Sequence, residues 1–476
     1  MLESNKLVLE TPYYRRLTDS QLRQIHNASL EVMERVGIRF YDEEALRLLK
    51  SGGAEIVDGN RVYIPCWRVE WALGIAPKQI ILYDQNGKAS IRLAGRKSYF
   101  GNGSDLLHVI DHRTGTRRNA ILQDVRDLIR LLDALPNYDF VMSGFVPSDI
   151  PVEKAELFQT LAMLENTSKP IINVTTNLAN AMDEVEMFEA VAGGANEFKR
   201  RPFAANYINI THPLRHNPEA IQKLLYLSEK GLPAIYRPGI VTRGLSTPIT
   251  VAGFLAVNNA SCLAGLVLSQ LKKEGAPFIR DSSAGGTFDM RTLVGLHSAP
   301  EVRGFNEELA HFYNLPCFGI GGTSASKAVD QQATMEAALT LITSTLAGAQ
   351  LIHDVGYMES GVTTSLIQVT ICHEIIAWIK HYMNGLIINE ESLALDVVEE
   401  VGPDGNFIDT DHTLRHFKED EYPELREHRR YESWVAAGKT ILVDRAKQKV
   451  ERVLAEHQPR QLEKEIKKTL QRIVEK

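Results

Sequence analysis

The chain has 476 residues, 44% of them hydrophobic and 24% charged, with a formal net charge of −7. This is globular composition, long enough for one large barrel with appendages or for two or three ordinary domains. No basic patch points to nucleic acid as a partner, and no run of about 18 apolar residues points to a membrane span.

In chain order, Thr18 or Asp19 caps a helix whose apolar positions Leu22, Ile25, Leu30, Met33 and Val36 fall at helical spacing, and Gly37 ends it. A second short helix through Ala45, Leu46, Leu48 and Leu49 stops at Gly52-Gly53. Strands at 61–64, 80–83 and 90–93 read as a small antiparallel patch, so residues 1–96 are expected to form an α+β extension without a catalytic motif. From residue 97 strands alternate with helices. The strands fall at 98–101, 140–146, 170–176, 203–211, 234–240, 278–283, 317–321 and 351–355, with helices at 123–135, 249–271, 330–347 and 365–383 among them. Eight such strands over about 290 residues match the count and length of a (β/α)8 TIM barrel, an α/β fold spanning 97–390. A doubly wound open sheet is the alternative. Gly101-Asn-Gly103 lacks the third glycine of a dinucleotide fingerprint, so no nucleotide is expected. Residues 391–476 turn highly charged, irregular at 418–422 and 427–430, with helices from about 432 to 457 and from 461 onward. This helical C-terminal extension packs on the barrel or makes a subunit contact.

The four cysteines, Cys66, Cys262, Cys317 and Cys372, are scattered without zinc spacing, and the opening Met1-Leu-Glu-Ser-Asn-Lys6 has no signal-peptide core. A cytoplasmic protein without zinc and without a membrane is expected.

In a barrel the site lies at the carboxyl ends of the strands, and alternate residues face the lumen. Ile208 and Ile210 belong against the helices, which turns Tyr207, Asn209 and Thr211 inward; Ile352 likewise places His353 and Tyr357 inside. Asn173 and Thr175 are placed inward on the third strand, with Tyr99 and Tyr236 on the first and fifth and Thr323 after the seventh. The sixth strand is ambiguous: either Arg280 and Ser282 or Ile279 and Asp281 point in. Tyr99, Tyr207, Tyr236 and Tyr357 around one cavity suit a quaternary ammonium, whose diffuse charge aromatic faces hold. Asn209 and His353, with Arg237 or Arg280, suit a substrate carboxylate. Each tyrosine alone also reads as core packing, and either arginine as an internal ion pair. Lys327 after strand seven, near Asp330 and Glu336, reads as a Schiff-base lysine or as a Lys–Asp pair anchoring the loop.

The segments Gly321-Gly-Thr-Ser-Ala-Ser-Lys-Ala-Val-Asp330, Gln332-Ala333, Glu336, Leu346-Ala-Gly-Ala-Gln-Leu-Ile-His353 and Met358-Glu-Ser-Gly361 resemble the trimethylamine methyltransferase family. So do Leu17-Thr-Asp-Ser-Gln21 and Glu34-Arg-Val-Gly-Ile38 near the start. Family members that use trimethylamine carry pyrrolysine. This chain shows none and resembles the branch without it, above all the members that demethylate glycine betaine. The resemblance implies transfer of a methyl group to Co(I) of a corrinoid (cobalamin) on a cognate corrinoid protein, leaving dimethylglycine. It assigns no general acid or catalytic side chain, because the cobalt is the nucleophile. A homo-oligomer is expected. The alternatives are the same reaction on proline betaine, carnitine, choline or a butyrobetaine, a barrel lyase or aldolase using Lys327, and a non-catalytic betaine-binding protein.

Overall fold

The computed structural model describes residues 13–476 except 240–241, 283–284, 296–297 and 420–422. The expected ends of strands five and six at Ile240 and Ser283, the first six residues and part of 418–422 lie outside the described residues.

The chain opens with α1 (Asp19–Glu31), started by a capping box in which Thr18 and Gln21 satisfy each other's backbone N–H. Its last turn widens over Val32–Val36 and stops at Gly37, whose φ of +73° a side chain would adopt only under strain. Strand Ile38–Phe40, α2 (Glu43–Ser51), strands Glu55–Val57 and Arg61–Tyr63, and α3 (Cys66–Ile75) complete this unit. The three strands pair antiparallel, and Ile38–Phe40 also pairs in parallel with Arg215–His216. The expected patch is therefore two structures. Ile80–Tyr83 and Ala89–Leu93 form a separate hairpin, with Ile80 opposite Leu93.

That hairpin has a job in the barrel. Ile80, Leu82, Ile91 and Leu93 share one apolar core with the inward residues Ile172, Ala205, Ile235, Ile279, Phe318 and Leu351. The hairpin thus plugs the amino-terminal end, and burying its four apolar side chains stabilises by several kcal/mol, at about 1.5–3 kcal/mol each.

The barrel is closed and parallel. Its strands are Tyr99–Phe100, a short second at 140–141, Ile171–Val174, Ala204–Asn209, Ala234–Arg237, Phe278–Asp281, Cys317–Ile320 and Leu351–His353. Tyr207 pairs with Ile235 and Ile320 with His353. Bridges from Phe140 to Gly101 and from Val141 to Ile171 shut the ring through the second strand. The open-sheet alternative is thereby excluded. Outside lie α4 (Leu122–Ala134), α5 (Val152–Asn166), α6 (Leu178–Ala192), α7 (Ala195–Arg200), α8 (Pro218–Lys230), α9 (Val251–Lys272), α10 (Phe305–Phe312), α11 (Gln331–Leu346) and α12 (Leu366–Tyr382). Of these, α9 is long and apolar enough to cross a membrane, but it is a core helix with 78% of its apolar window buried.

Beyond the barrel, α13 (Glu390–Leu393), α14 (Leu395–Val401) and α15 (Asp411–His416) form an excursion without a buried residue. After α16 (Tyr431–Ala436), α17 (Leu442–Glu456) lies on α4 and α12, and α18 (Lys464–Glu475) on α5 and α6. Arg130 of α4 donates to the carbonyls of Leu454 and His457 at 2.5 and 2.8 Å, so the last helices are fastened to the barrel wall.

Candidate functional site at the barrel mouth

A cavity of about 330 Å³ opens at the carboxyl ends of the strands, within the size range of small-ligand sites. Asn209, Arg237, Ile320 and His353, the last residues of strands four, five, seven and eight, form its floor. Its walls come from loops: Ser104 and Asp105 after strand one, Asp354, Tyr357 and Ser360 after strand eight, and Val302 and Arg303 before α10. A small sheet of Thr242–Arg243, Gly286–Asp289 and Val294–Gly295 adds Thr287 and Phe288 on one side.

His353 shows how the strands aim these groups. Its ring stacks on Phe318 at 3.9 Å between centroids and 21° between planes, and Nδ1 donates to the Gly319 carbonyl at 2.5 Å. The carbonyl accepts only, so the proton sits on Nδ1 and Nε2 is left toward Asp354 Oδ1 at 3.6 Å. Burial lowers the imidazole's pKa against the pull of Asp354, so the ring is neutral at neutral pH. Tyr207 lies 5.9 Å from His353 and accepts a hydrogen bond from Arg237 Nη1. Tyr357 donates to the Ser104 carbonyl, and Gly103 leaves the room that this ring and Asp354 need. Burial raises both phenols, which stay protonated.

Four charged groups share the cavity. Burial works against the Arg237 cation, but Tyr207, Asp281 and Asp354 outweigh it and its pKa is raised. Burial pushes Arg303 down to about 10 against the pull of Glu307 and Asp354, which leaves it cationic at neutral pH. Asp105 keeps solvent contact deep in the mouth. Burial, helped by Asp354 and Glu156 and opposed by the Ser104 hydroxyl, pushes its carboxyl up to about 6. Asp105 and Asp354 both hold left-handed backbone, at φ +68° and +65°, strain that collects at functional sites. The cavity thus offers two guanidinium groups, two carboxyls, a neutral imidazole and the rings of Tyr207, Tyr357 and Phe288.

Of the residues singled out from sequence, Tyr207, Asn209, His353 and Tyr357 meet on this cavity, joined by Arg237. Three do not. Tyr99 faces the lumen beneath the cavity, its hydroxyl accepting from Arg92 N–H of the plug at 3.0 Å. Tyr236 faces the helices. Its hydroxyl meets His216 Nδ1 at 2.7 Å, and its ring fills the space left by Gly265 of α9. Arg280 also faces the helices, donating to Asn259 Oδ1 at 3.1 Å and to the Asn306 carbonyl at 3.0 Å. The sixth strand is resolved in favour of Ile279 and Asp281 inward.

Asn173 and Thr175 also point outward. Asn173 donates to Glu184 of α6, and Thr175 Oγ1 accepts from Asn206 at 3.3 Å. Thr211 is exposed, and Thr323 is buried beside Arg303. The physical reason is common to strands three, five and six. Both faces of a barrel strand are buried, so polarity does not set the phase.

Lys327 is exposed, bonds the Ala325 carbonyl at 2.7 Å and does not line the cavity, which removes the residue the aldolase reading needs. It does not anchor the loop through Asp330 either. Glu336 does, accepting from Ser324 Oγ and Ala325 N–H at 2.7 Å each. Asp105, Asp354, Arg303 and Phe288 escaped the sequence reading because loops carry no periodicity. Among the described residues, Glu391, His412 and His416 are close enough to share a metal ion, and none of them lines the cavity.

The family profile described as trimethylamine methyltransferase (MTTB) matches residues 2–476. A trimethylamine methyltransferase MttB of Desulfitobacterium hafniense (strain DSM 10664 / DCB-2) is 33% identical over 462 residues, covering 96% of this chain and 93% of that protein. A glycine betaine methyltransferase of Desulfitobacterium hafniense (strain Y51) is 31% identical over 473 residues, covering 97% of each. Among solved structures, the monomethylamine methyltransferase of Methanosarcina barkeri covers 91% of this chain and 94% of its own at 13% identity, with a TM-score of 0.47. Matched from end to end, the chain belongs to the trimethylamine methyltransferase family and is a methyltransferase of that family.

Proposed function

We propose that the protein demethylates glycine betaine to dimethylglycine, with the methyl group passing to a corrinoid carried by a cognate protein. The observation that carries this is the charge pattern of the cavity: Arg237 and Arg303 with Asp105 and Asp354, among Tyr207, Tyr357 and Phe288. A betaine carries a carboxylate and a quaternary ammonium. It uses both halves of that set, whereas a simple amine has no carboxylate for the guanidinium groups to hold. The relative of similar length named for glycine betaine supports the same substrate.

In this reading Arg237 and Arg303 hold the carboxylate by charge-assisted hydrogen bonds. The aromatic faces, with Asp105 and Asp354, surround the methyl-bearing nitrogen. The corrinoid supplies the Co(I) nucleophile that accepts the methyl group. The amine leaves neutral and needs no proton, which suits a site whose histidine is neutral and whose phenols stay protonated. Opposite charges cancel as the methyl moves, so walls that shed water favour the step. The residues' work is alignment, and a grip on the cation tighter in the ground state than in the transition state would slow it. Cys262, Cys317 and Cys372 are buried thiols, consistent with the cytoplasmic location we infer.

The test is methyl-cobalt formation, followed by absorbance, with purified protein, reduced cobalamin or a corrinoid-protein acceptor, and a panel of betaines and methylamines. Methylation from glycine betaine alone is expected. Methylation from proline betaine, carnitine, choline or trimethylamine instead would move the substrate and keep the reaction. No methylation with either acceptor would overturn it.

A further inference from the structure

After α12 the chain leaves the barrel wall for an arm, residues 384–418, in which no residue is buried. No apolar core therefore holds its short helices α13, α14 and α15 in place, and a segment of this kind needs another source of order. The polar contacts within the arm converge on one point. Asn389 and Ser392 form a capping box that starts α13 and sets Glu391 in its first turn. Thr410 caps α15, accepting from the Thr413 N–H at 3.2 Å, so that His412 and His416 follow one turn apart on one face. Their rings lie 4.4 Å apart and are tilted by 35°.

We propose that Glu391, His412 and His416 hold a divalent metal ion of the zinc class, which ties α13 to α15. One atom from each of the three lies within 4.8 Å of the others. The tightest pair already has the spacing of two ligands on one ion. His416 Nε2 stands 3.2 Å from Glu391 Oε1, and two ligands ~2.0–2.1 Å from a tetrahedral zinc lie ~3.3 Å from each other. His412 reaches the same residue, with its Nε2 3.1 Å from the Glu391 carbonyl.

The surroundings orient these groups as ligands. Nδ1 of His416 donates to Glu419 Oε1 at 2.7 Å, which fixes the tautomer and turns the Nε2 lone pair toward Glu391. Arg415 Nη1 donates to Glu391 Oε1 at 2.6 Å, and a carboxylate oxygen that accepts one hydrogen bond keeps a second lone pair for an ion. In the two segments that carry the site, Glu390, Glu391, Asp409, Asp411 and Glu419 outnumber Arg415 and Lys418, so the local field favours a dication. Two imidazoles with one carboxylate suit zinc better than magnesium or calcium, which take oxygen ligands. No cysteine takes part, which is why cysteine spacing in the sequence does not reveal the site. None of the three residues lines the cavity, so the ion's role is structural: it closes the loop from Glu391 to His416 and gives the coreless arm its shape.

The experiment is a zinc titration of the full chain, freed of metal by dialysis against a chelator, followed by calorimetry and elemental analysis. Amide hydrogen exchange over α13 and α15 is read on the same samples. One zinc per chain is expected. Glu419→Gln, which alters only the partner of the His416 Nδ1 proton, should weaken zinc binding ~10-fold to ~100-fold. His412→Ala and His416→Ala each remove a ligand and should weaken it by more. None of these side chains is buried, so the thermal midpoint of the barrel should match the wild type in every variant. At zinc about a hundred times its Kd, the α13 and α15 amides should exchange up to ~100-fold more slowly than in the stripped chain. In His416→Ala, zinc should leave that exchange as it was. A wild type that takes up no zinc at micromolar concentration would overturn the proposal. So would zinc retained at full affinity in both histidine variants, because the ion would then lie elsewhere. Zinc that binds but leaves exchange in α13 and α15 unaltered would overturn it too, because the ion would not be tying the arm. The test uses neither substrate nor corrinoid, so its outcome is independent of the proposed reaction.

Discussion

Replacing Arg237 with glutamine removes the guanidinium proposed to hold the substrate carboxylate and keeps a polar side chain of similar length. Arg237 stands at the end of strand five, half-buried, with Nη1 already committed to the Tyr207 hydroxyl. The side chain lines the cavity. A hydrogen bond to a charged group contributes about 1.5–3 kcal/mol. At about 1.4 kcal/mol per decade, losing one should raise the KM for glycine betaine ~10-fold to ~150-fold, with a smaller change in kcat. Tetramethylammonium, which has no carboxylate, supplies the internal control. Its inhibition constant against glycine betaine should stay within about threefold, because a uniform loss of binding is not what the reasoning requires. The assay is the initial rate of methyl-cobalt formation across betaine concentrations, with the thermal midpoint of the variant as a check on folding. An unchanged KM in a folded variant would refute the assignment. So would an equal loss for betaine and tetramethylammonium, because the arginine would then be holding the cavity wall.

The remaining expectations follow from the same geometry. Asp105 has a raised pKa of about 6, so its charge is present above that pH and lost below it. If it faces the ammonium, KM should rise by up to ~10-fold per unit as pH falls below 6, and Asp105→Asn should show a high KM without that inflection. Tyr236→Phe removes the buried bond to His216 and should cost ~1–3 kcal/mol, seen as a lower denaturation midpoint. Its KM should match the wild type; a raised KM would mean that this ring reaches the substrate after all. His353→Ala removes the ring stacked on Phe318 at the cavity floor and should cut turnover by about 10²-fold with the fold retained. Wild-type turnover in that variant would take the histidine out of the site.

Strands four and eight were readable because they mix residue types. Asn209 and Thr211 beside Ile208 and Ile210, and His353 beside Ile352, break the symmetry between the two faces. The helices at 249–271, 330–347 and 365–383 were close to their observed bounds for a related reason: Thr250, Asp330 and Ser365 are capping side chains at their starts. In Ala234–Arg237 and Phe278–Asp281 both faces are buried, so period-2 alternation leaves no polar signature to set the phase. There Tyr236 and Arg280 were turned the wrong way. Their polar tips find partners outside the barrel, on the segment carrying His216 and on α9 and the start of α10.

By itself the sequence determined the alternation of strands and helices, the strand count that matches a (β/α)8 barrel, and the family. All of these follow from local patterning and from motifs contiguous in the chain. Tertiary structure decided the phase of the doubly buried strands, the hairpin that plugs the barrel and the loop residues Asp105, Arg303 and Asp354 that charge its mouth. The physical reason is that a cavity is assembled from segments more than two hundred residues apart, from Ser104 to Ser360. Only closure of the barrel brings their side chains within reach of one another.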